Sequence, residues 1–484
     1  MEITIEKFNE IYIRIQCEPS IAKELYEFFS FEVPNAKYMR AVQNRIWSGR
    51  VHLFSPATGK IYLGLFPYVK RFCEKQGYKI NVIGSIDAEN GIDKTLVRKF
   101  VNKLKTGVKA RPYQINAIHH IINTNRGLIL SPTGSGKSLI IYALARYYVD
   151  LFDEKKVLII VPTTGLVEQM YNDFGDYGWF PDVHCHKLYS GNDKNTSKEV
   201  VISTWQSIYR MPRSYFQQFG ATFVDEAHLA KAKSLTGIMN KLHECKYRVG
   251  TTGTLDGTEV HRLILEGLFS VHEQVTTTSQ LIEDKQLSNL HIYCLVMNHI
   301  KKQRIRREYQ EEIDFLSQYK PRNEFIFKLA TTEKGNTLIL CRYIVQLQLL
   351  QEMLKDSDRD VYLVYGKTPT EDRELVRNYV EGGEDAIILA SYGVFSTGVN
   401  IKRLHNIILA SPYRSQIKVL QSIGRGLRVA DDKDGLKVFD IADDLTTPRG
   451  KPNYTLNHLK ERIEIYNSEG FDYDIVPVKL KEDK

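Results

Sequence analysis

From about residue 111 onward the chain alternates short apolar runs with longer amphipathic stretches. The runs at 127–130, 156–161, 199–202, 221–224 and 247–250 are mostly apolar at consecutive positions rather than at every second one. That is the pattern of strands covered on both faces. The stretches between them carry apolar residues at helical spacing, which predicts a parallel sheet between two layers of helices. A second series follows at 336–340, 360–364, 385–390, 406–409 and 436–440. Within it, Thr368-Pro369-Thr370-Glu371 predicts a capping box with Pro at the first helical position. Two α/β domains in tandem are expected, and the charged segment 301–328 between them reads as helical.

The first hundred residues have another rhythm. Ile11, Ile13 and Ile15 alternate with polar positions, as in a half-buried strand. Ser20 is placed to cap a helix with Ile21, Leu25, Phe28 and Phe29 on its apolar face. Segments 51–54 and 61–66 flank a turn at 55–60 and suggest a hairpin. A helix at 67–76 would stop at Gly77. A charged helix at 93–105, with Leu96, Phe100, Val101 and Leu104 on one face, would link this module to the first α/β domain. The expected division is a small α+β module at 1–105, α/β domains at 106–280 and 281–450, and a helical tail at 451–484.

Composition narrows the class. Of 484 residues, 43% are hydrophobic, ample for about three cores. No apolar run approaches the roughly 18 residues of a membrane span. The start, Met1-Glu2-Ile3-Thr4-Ile5-Glu6, lacks the layout of a signal peptide. The six cysteines are scattered and fit a reducing cytoplasm. His184-Cys185-His186 reads as a piece of strand or loop rather than a metal site. The net charge of +8 is uneven: residues 1–110 hold 18 Lys and Arg against 11 Asp and Glu. A basic module points to a polyanion such as nucleic acid, or equally to a solvated basic face.

The chemistry concentrates at one junction. After the apolar run 127–130 comes Ser131-Pro132-Thr133-Gly134-Ser135-Gly136-Lys137-Ser138, and then an apolar helix. Strand, small-residue loop and helix start form a phosphate cradle, with backbone N–H groups and the helix end supplying positive potential. Lys137 would reach the β- and γ-phosphates and the Ser138 hydroxyl would bind Mg²⁺. The general pattern begins with Gly where this chain has Ser131. Asp225 and Glu226 follow the run 221–224. Carboxylates at a strand tip suit metal binding (Asp225) and activation of the attacking water (Glu226). Arg425 and Arg428, at i and i+3, would share a helix face and offer charge to the γ-phosphate.

In this order the residues resemble the motifs of superfamily 2 helicases of the DEAH type. Arg111-Pro112-Tyr113-Gln114 resembles the adenine-reading Q motif, and residues 131–138 resemble motif I. Residues 161–169, 203–206, 225–228 and 252–254 look like motifs Ia, Ib, II and III. In the second series 340–342, 391–400 and 421–428 are similar to motifs IV, V and VI, with Asn400 where Asp is frequent. The resemblance implies two RecA-like domains and ATP with Mg²⁺ as cofactors. It implies nucleotide binding by Gln114, Thr133, Gly134, Ser135, Gly136, Lys137 and Ser138, with Gln421 joining the catalytic arginines. Thr163, Thr204 and Thr397 would lie along a nucleic-acid backbone, and His228, Thr252 and Thr254 would couple hydrolysis to movement.

A narrower resemblance is to the UvsW helicases of T-even-type bacteriophages. It is carried by Phe29-Ser30-Phe31, by Arg45-Ile46-Trp47-Ser48-Gly49-Arg50, by 391–398 and by the three-part plan. That family implies remodelling of branched DNA (forks, Holliday junctions, R-loops) with 3′-to-5′ movement. The expected protein is cytoplasmic, in the host cytoplasm if the chain is a phage's, and monomeric or weakly associating. The residues alone give a nucleotide-driven nucleic-acid motor. A duplex translocase that separates no strands and an ATP-gated RNA or RNA–DNA remodeller stay open. Arg45, Trp47 and Arg50 combine cations with an aromatic ring, as phosphate contact and base stacking require. The same residues also suit a core Trp47 with solvated arginines.

Overall fold

The computed structural model describes residues 2–480 other than 35, 87–88, 190, 192, 230–231, 256–257, 301–302, 305–306, 396–400, 402, 412–415, 430–432 and 448–449, with backbone only at 229, 232–233, 370, 395, 416–418 and 421. The chain divides into two compact units. One contains Met1–Ser131 and Gly136–Val275, the other Thr276–Lys484 with the short stretch Pro132–Ser135. No helix among the described residues is long and apolar enough to cross a membrane.

The N-terminal module is built on β1 (Glu2–Lys7), β2 (Tyr12–Gln16), β5 (Lys60–Tyr62) and β6 (Lys79–Ile83), in the order β5-β2-β1-β6. Ile5 pairs with Ile15 and Ile13 with Ile61, so the alternation turns one apolar face inward. That face packs on the helices Pro19–Phe28 and Phe66–Gln76. The expected hairpin is absent. β3 (Ser30–Glu32) takes β4 (Arg50–His52) as its partner, while β5 pairs with β2, leaving a single bridge between Ser55 and Lys60. Ser20 lies inside the first helix, whose cap position is Glu18 and whose first residue is Pro19. Phe28 is exposed, and Phe29 fills the core from the position after the helix.

The helix Lys94–Lys103 is capped by Asp93, which accepts from Thr95 N at 2.6 Å. Its buried residues are Val97 and Val101, while Leu96 is exposed. The inward face is thus turned by one position from expectation. It packs into the core of the first α/β domain rather than linking across to it.

That domain holds a seven-stranded parallel sheet in the order β13-β7-β12-β11-β8-β10-β9. Its strands are β7 (Arg126–Leu130), β8 (Lys156–Val161), β9 (Cys185–Leu188), β10 (Val200–Thr204), β11 (Phe219–Val224), β12 (Tyr247–Thr252) and β13 (His272–Gln274). The N-terminal module is seated firmly on it. Tyr68 OH donates to Glu266 Oε2 at 2.6 Å, Arg126 Nη2 to the Glu10 carbonyl at 2.8 Å, and Glu10 N to the His243 carbonyl at 3.1 Å. A Cβ on Gly64 would fall 2.0 Å from the Glu266 carbonyl oxygen, so this approach of two backbones admits glycine alone.

The second unit carries another seven-stranded parallel sheet, ordered β16-β17-β15-β18-β19-β14-β20. Its strands are β14 (Asn289–Asn298), β15 (Thr337–Cys341), β16 (Val361–Val364), β17 (Ile387–Ser391), β18 (Asn406–Leu409), β19 (Gly435–Asp444) and β20 (Tyr473–Lys479). Segment 301–328 contributes Tyr309–Gln318 and much of the helix Lys320–Thr332. The helix at Thr370 has Pro369 at its cap position with no side-chain cap, because Thr368 Oγ1 accepts instead from Tyr365 N at 3.0 Å.

The C-terminal stretch is no separate tail. β20 is the edge strand beside β14, and the helix Tyr454–Glu469 lies against β19. Arg462 Nε and Nη2 each donate at 2.8 Å to the two oxygens of Asp440, a fully buried pair, and Tyr466 OH donates to the same carboxylate. Glu312 accepts from the N–H groups of Tyr454 and Thr455 at the start of that helix.

Candidate nucleotide site and nucleic-acid faces

The loop 131–136 runs from the carboxyl end of β7 into the helix Lys137–Leu151. Gly134 and Gly136 take φ of +84° and +78°, left-handed positions that glycine adopts without strain. Gly136 is needed twice over, since a Cβ there would lie 2.4 Å from Gln114 Nε2. Gln114 is buried; its Oε1 accepts from Arg111 N at 2.8 Å and its Nε2 faces the Gly136 carbonyl at 3.5 Å. It therefore ties the start of the helix Pro112–Thr124 to the loop. Ser135 Oγ closes the loop on the Pro132 carbonyl at 2.6 Å. Thr133 is half-buried in the same loop.

Lys137 Nζ donates to the Ser131 carbonyl at 3.1 Å and stands 4.0 Å from Glu226 Oε1. Asp225 sits at the end of β11, its carboxylate held by Thr251 Oγ1 at 2.7 Å and by Glu226 N at 3.0 Å. Burial, then the neighbouring Glu226 charge, raises the Asp225 carboxyl above its ordinary value; Lys137 and the Thr251 hydroxyl pull the other way. Glu226 adopts φ +49°, a left-handed position that swings its side chain beside Lys137. Its Oε2 is buried and has no hydrogen-bond donor among the described residues.

Behind the carboxylates lies a polar chain. His228 Nδ1 is 2.6 Å from Thr252 Oγ1 and 3.4 Å from Glu226 Oε2, and Thr252 Oγ1 donates to the Thr254 carbonyl at 2.8 Å. Two partners have no local sequence signal. Thr251 steadies Asp225 from the adjacent strand β12, and Tyr177 OH lies 2.9 Å from Ser138 Oγ across 39 positions.

Thr163 caps the helix Thr164–Asp176, accepting from Leu166 N at 3.3 Å, and Thr204 Oγ1 meets Ser207 Oγ at 2.8 Å. Both stand at the carboxyl ends of neighbouring strands, β8 and β10, and Gln206 Nε2 bridges to the Pro162 carbonyl at 3.2 Å. Thr397 and Asn400 lie outside the described residues. In the second unit Gln421 and Arg425 belong to the helix Gln416–Gly426, but Arg428 lies beyond its end. The helix ends at Gly426, where a Cβ would fall 2.8 Å from Ile407 and Leu436. The shared-face argument therefore fails for Arg428. Its backbone is fixed instead by Ser288 Oγ at 3.0 Å and Lys433 Nζ at 3.3 Å, both donating to its carbonyl.

In the N-terminal module Arg45 is exposed, with φ +54°, and Trp47 is half-buried rather than in the core. Trp47 Nε1 donates to the Arg50 carbonyl at 2.9 Å, and Arg50 Nη2 to the Ser30 carbonyl at 2.8 Å. Tyr38 and Ile46 beside them are exposed.

Residues 2–83 match the model of the N-terminal domain of the DNA helicase UvsW. Across 99% of this chain and all of the relative, 32% of residues are identical to the ATP-dependent DNA helicase UvsW of Enterobacteria phage T4. The chain belongs to the UvsW helicase family. The crystal structure of T4 UvsW aligns over 99% of this chain and all of its own, at 31% identity and a TM-score of 0.54. Residues 107–257 match the family described as the type III restriction enzyme res subunit, and 321–430 the helicase conserved C-terminal domain. A DNA 3′-5′ translocase of Sulfurisphaera tokodaii is 24% identical over 74% of this chain and 85% of its own. The yeast protein Dbp5, solved with RNA and ADP BeF3, shares the fold at 15% identity, covering 80% of this chain and 93% of its own, with a TM-score of 0.54. The UvsW family thus accounts for the two RecA-like domains and the small module before them.

Proposed function

We propose that this chain is an ATP-driven DNA helicase that moves branch points: forks, Holliday junctions and RNA–DNA hybrids in displaced loops. The observation that carries the reading is the set Lys137, Asp225 and Glu226, with Glu226 Oε2 buried, 3.4 Å from His228 Nδ1 and without a closer donor among the described residues. That oxygen suits a water molecule in line with a terminal phosphate, and Glu226 would take its proton. The donor set fits Mg²⁺, which Asp225 and Ser138 would hold; bound there, the ion neutralises phosphate charge. Gln114 would read the base. Residues 133–136 would cradle the phosphates with Lys137; Arg425 and Arg428 would supply positive charge as the bond breaks, and Gln421 would offer a neutral hydrogen-bond donor.

The chain from Glu226 through His228 to Thr252 and Thr254 supports coupling of hydrolysis to movement. Thr163 and Thr204 at the carboxyl ends of neighbouring strands, with Thr397, would hold a nucleic-acid strand by its phosphates, which reads no sequence. Arg45, Trp47 and Arg50 would meet the branched duplex. The test is ATP turnover with single-stranded, duplex, branched and RNA–DNA hybrid substrates side by side, in the wild type and Lys137→Ala. Branched DNA should stimulate the wild type most, and Lys137→Ala should lose the stimulation. Stimulated turnover surviving in Lys137→Ala would overturn the motor assignment.

A further inference from the structure

We propose that the surface gathered around Tyr309 in the second unit is a stacking platform for unpaired bases of a single nucleic-acid strand; this rests on the reading of the chain as a nucleic-acid motor. Three segments meet there, following the carboxyl ends of β14, β15 and β19. In open parallel sheets the crevice beyond those strand ends is where ligands are taken. Tyr309 begins a helix after β14. Arg342 follows the last residue of β15, and Tyr454 and His458 lie on the C-terminal helix after β19.

The contacts are those of a layered ring cluster. Arg342 Nη1 donates to Tyr309 OH at 2.5 Å, and its guanidinium lies 5.4 Å from the Tyr309 ring centre and 5.5 Å from that of Tyr343. Tyr454 and His458 meet the Tyr309 ring edge-on at 5.6 and 5.5 Å. Tyr343 OH accepts from Gln310 at 2.8 Å, which fixes that ring as well. Concavities of about 200 and 320 Å³ flank the cluster. Tyr454 lines the first with Arg307 and Lys451, and Arg342 and Tyr343 line the second.

The chemistry favours a single strand. Tyr454 is 38% exposed, and Ile344 and Val345 on the rim are 40% and 54% exposed, so ring and apolar surface face outward beside three cations. The two carboxylates in these linings are already engaged: Glu312 by the helix start and Asp314 by Gln310 at 2.8 Å. Cations tracking phosphates, interleaved with rings that accept any base face, are what sequence-tolerant single-strand binding requires. A paired duplex hides those faces. The C-terminal helix would thereby help to grip the strand.

The experiment uses the full chain and a labelled single-stranded oligonucleotide of mixed sequence, with a blunt duplex of equal length as control. Binding is read by fluorescence anisotropy over a range of salt. Tyr454→Ala should weaken single-strand binding about 5- to 150-fold, the range of one base–aromatic stack. Its salt slope and its duplex affinity should not change, and Tyr454→Trp should restore binding. Lys451→Gln, at an exposed position, should lower the salt slope by about 1. Wild-type single-strand affinity in both Tyr454→Ala and Lys451→Gln would overturn the platform. It would leave the motor reading intact, provided that DNA still stimulates wild-type ATP turnover and Lys137→Ala abolishes it.

Discussion

His228 Nδ1 and Thr252 Oγ1 are 2.6 Å apart, and the direction of that hydrogen bond is fixed. The single hydroxyl proton of Thr252 goes to the Thr254 carbonyl, so Thr252 accepts from His228, whose Nδ1 carries the proton. The same nitrogen faces Glu226 Oε2 at 3.4 Å. These contacts connect Glu226, through His228 and Thr252, to the loop after β12. His228→Ala should leave basal ATP hydrolysis nearly intact and lower strand displacement per ATP by about 5- to 150-fold, the usual span of an energetic coupling. Parallel ATPase and forked-duplex assays check it; an equal loss in both would make His228 catalytic rather than coupling.

Glu226→Gln keeps the side-chain shape beside Lys137 but removes the carboxylate proposed to take the proton of the attacking water. Turnover should fall by about 10²–10⁴ while nucleotide affinity holds. Equilibrium binding of a fluorescent ATP analogue and single-turnover hydrolysis separate the two effects.

Tyr177 and Ser138 share a hydrogen bond of 2.9 Å. Tyr177→Phe frees the Ser138 hydroxyl to rotate. The magnesium concentration needed for half-maximal nucleotide binding should rise about 2- to 10-fold, the value of one hydrogen bond. Titration of magnesium at fixed nucleotide reads this directly, and an unchanged midpoint would reduce the contact to packing.

Asp443 is buried between Arg322 Nε at 3.0 Å and His299 Nε2 at 2.9 Å. Burial alone would raise its carboxyl, but Arg322 and His299 prevail and hold it below the ordinary value. A carboxyl held low when folded stabilises above the unfolded pKa, near 3.9, and loses that contribution as pH falls through the folded value. Asp443→Asn should cost about 3–5 kcal/mol at neutral pH by leaving Arg322 uncompensated. In acid the gap to wild type should narrow; denaturant unfolding at pH 7 and pH 3.5 tests both halves.

Arg45 combines an exposed side chain with a left-handed backbone on the surface of the N-terminal module. Arg45→Ala should weaken binding of branched DNA of any sequence alike and lower its salt slope by about 1. Deleting 1–105 is a poorer test, because Val97 and Val101 would leave the core of the first α/β domain.

Strands buried on both faces are legible in the sequence because almost every position is apolar, as in β8 and β11. β14 is not: His291 and Tyr293 break its run, and half-buried positions are interspersed with the buried ones. β20 falls in the segment that reads from sequence as a helical tail. It carries Pro477, which an edge strand tolerates, and nothing local tells which sheet it joins. At the site, the loop glycines, Lys137, Asp225 and Glu226 have signatures in spacing. Thr251 and Tyr177 do not, since each reaches its partner only through the tertiary fold. Arg428 misleads because i, i+3 spacing has meaning only while the helix lasts, and the helix ends at Gly426.

β20 covers one side of β14 along seven paired positions, from Ile292–Tyr473 to Asn298–Lys479. A chain trimmed after residue 450 would keep every helicase motif and still lay that side of β14 bare. An open edge so long is a template for pairing with another molecule, and Pro477, which blunts the present edge, would be gone with it. Truncated forms should therefore fail first by self-association, with loss of yield and growth of aggregates, before any fault in nucleotide binding is seen.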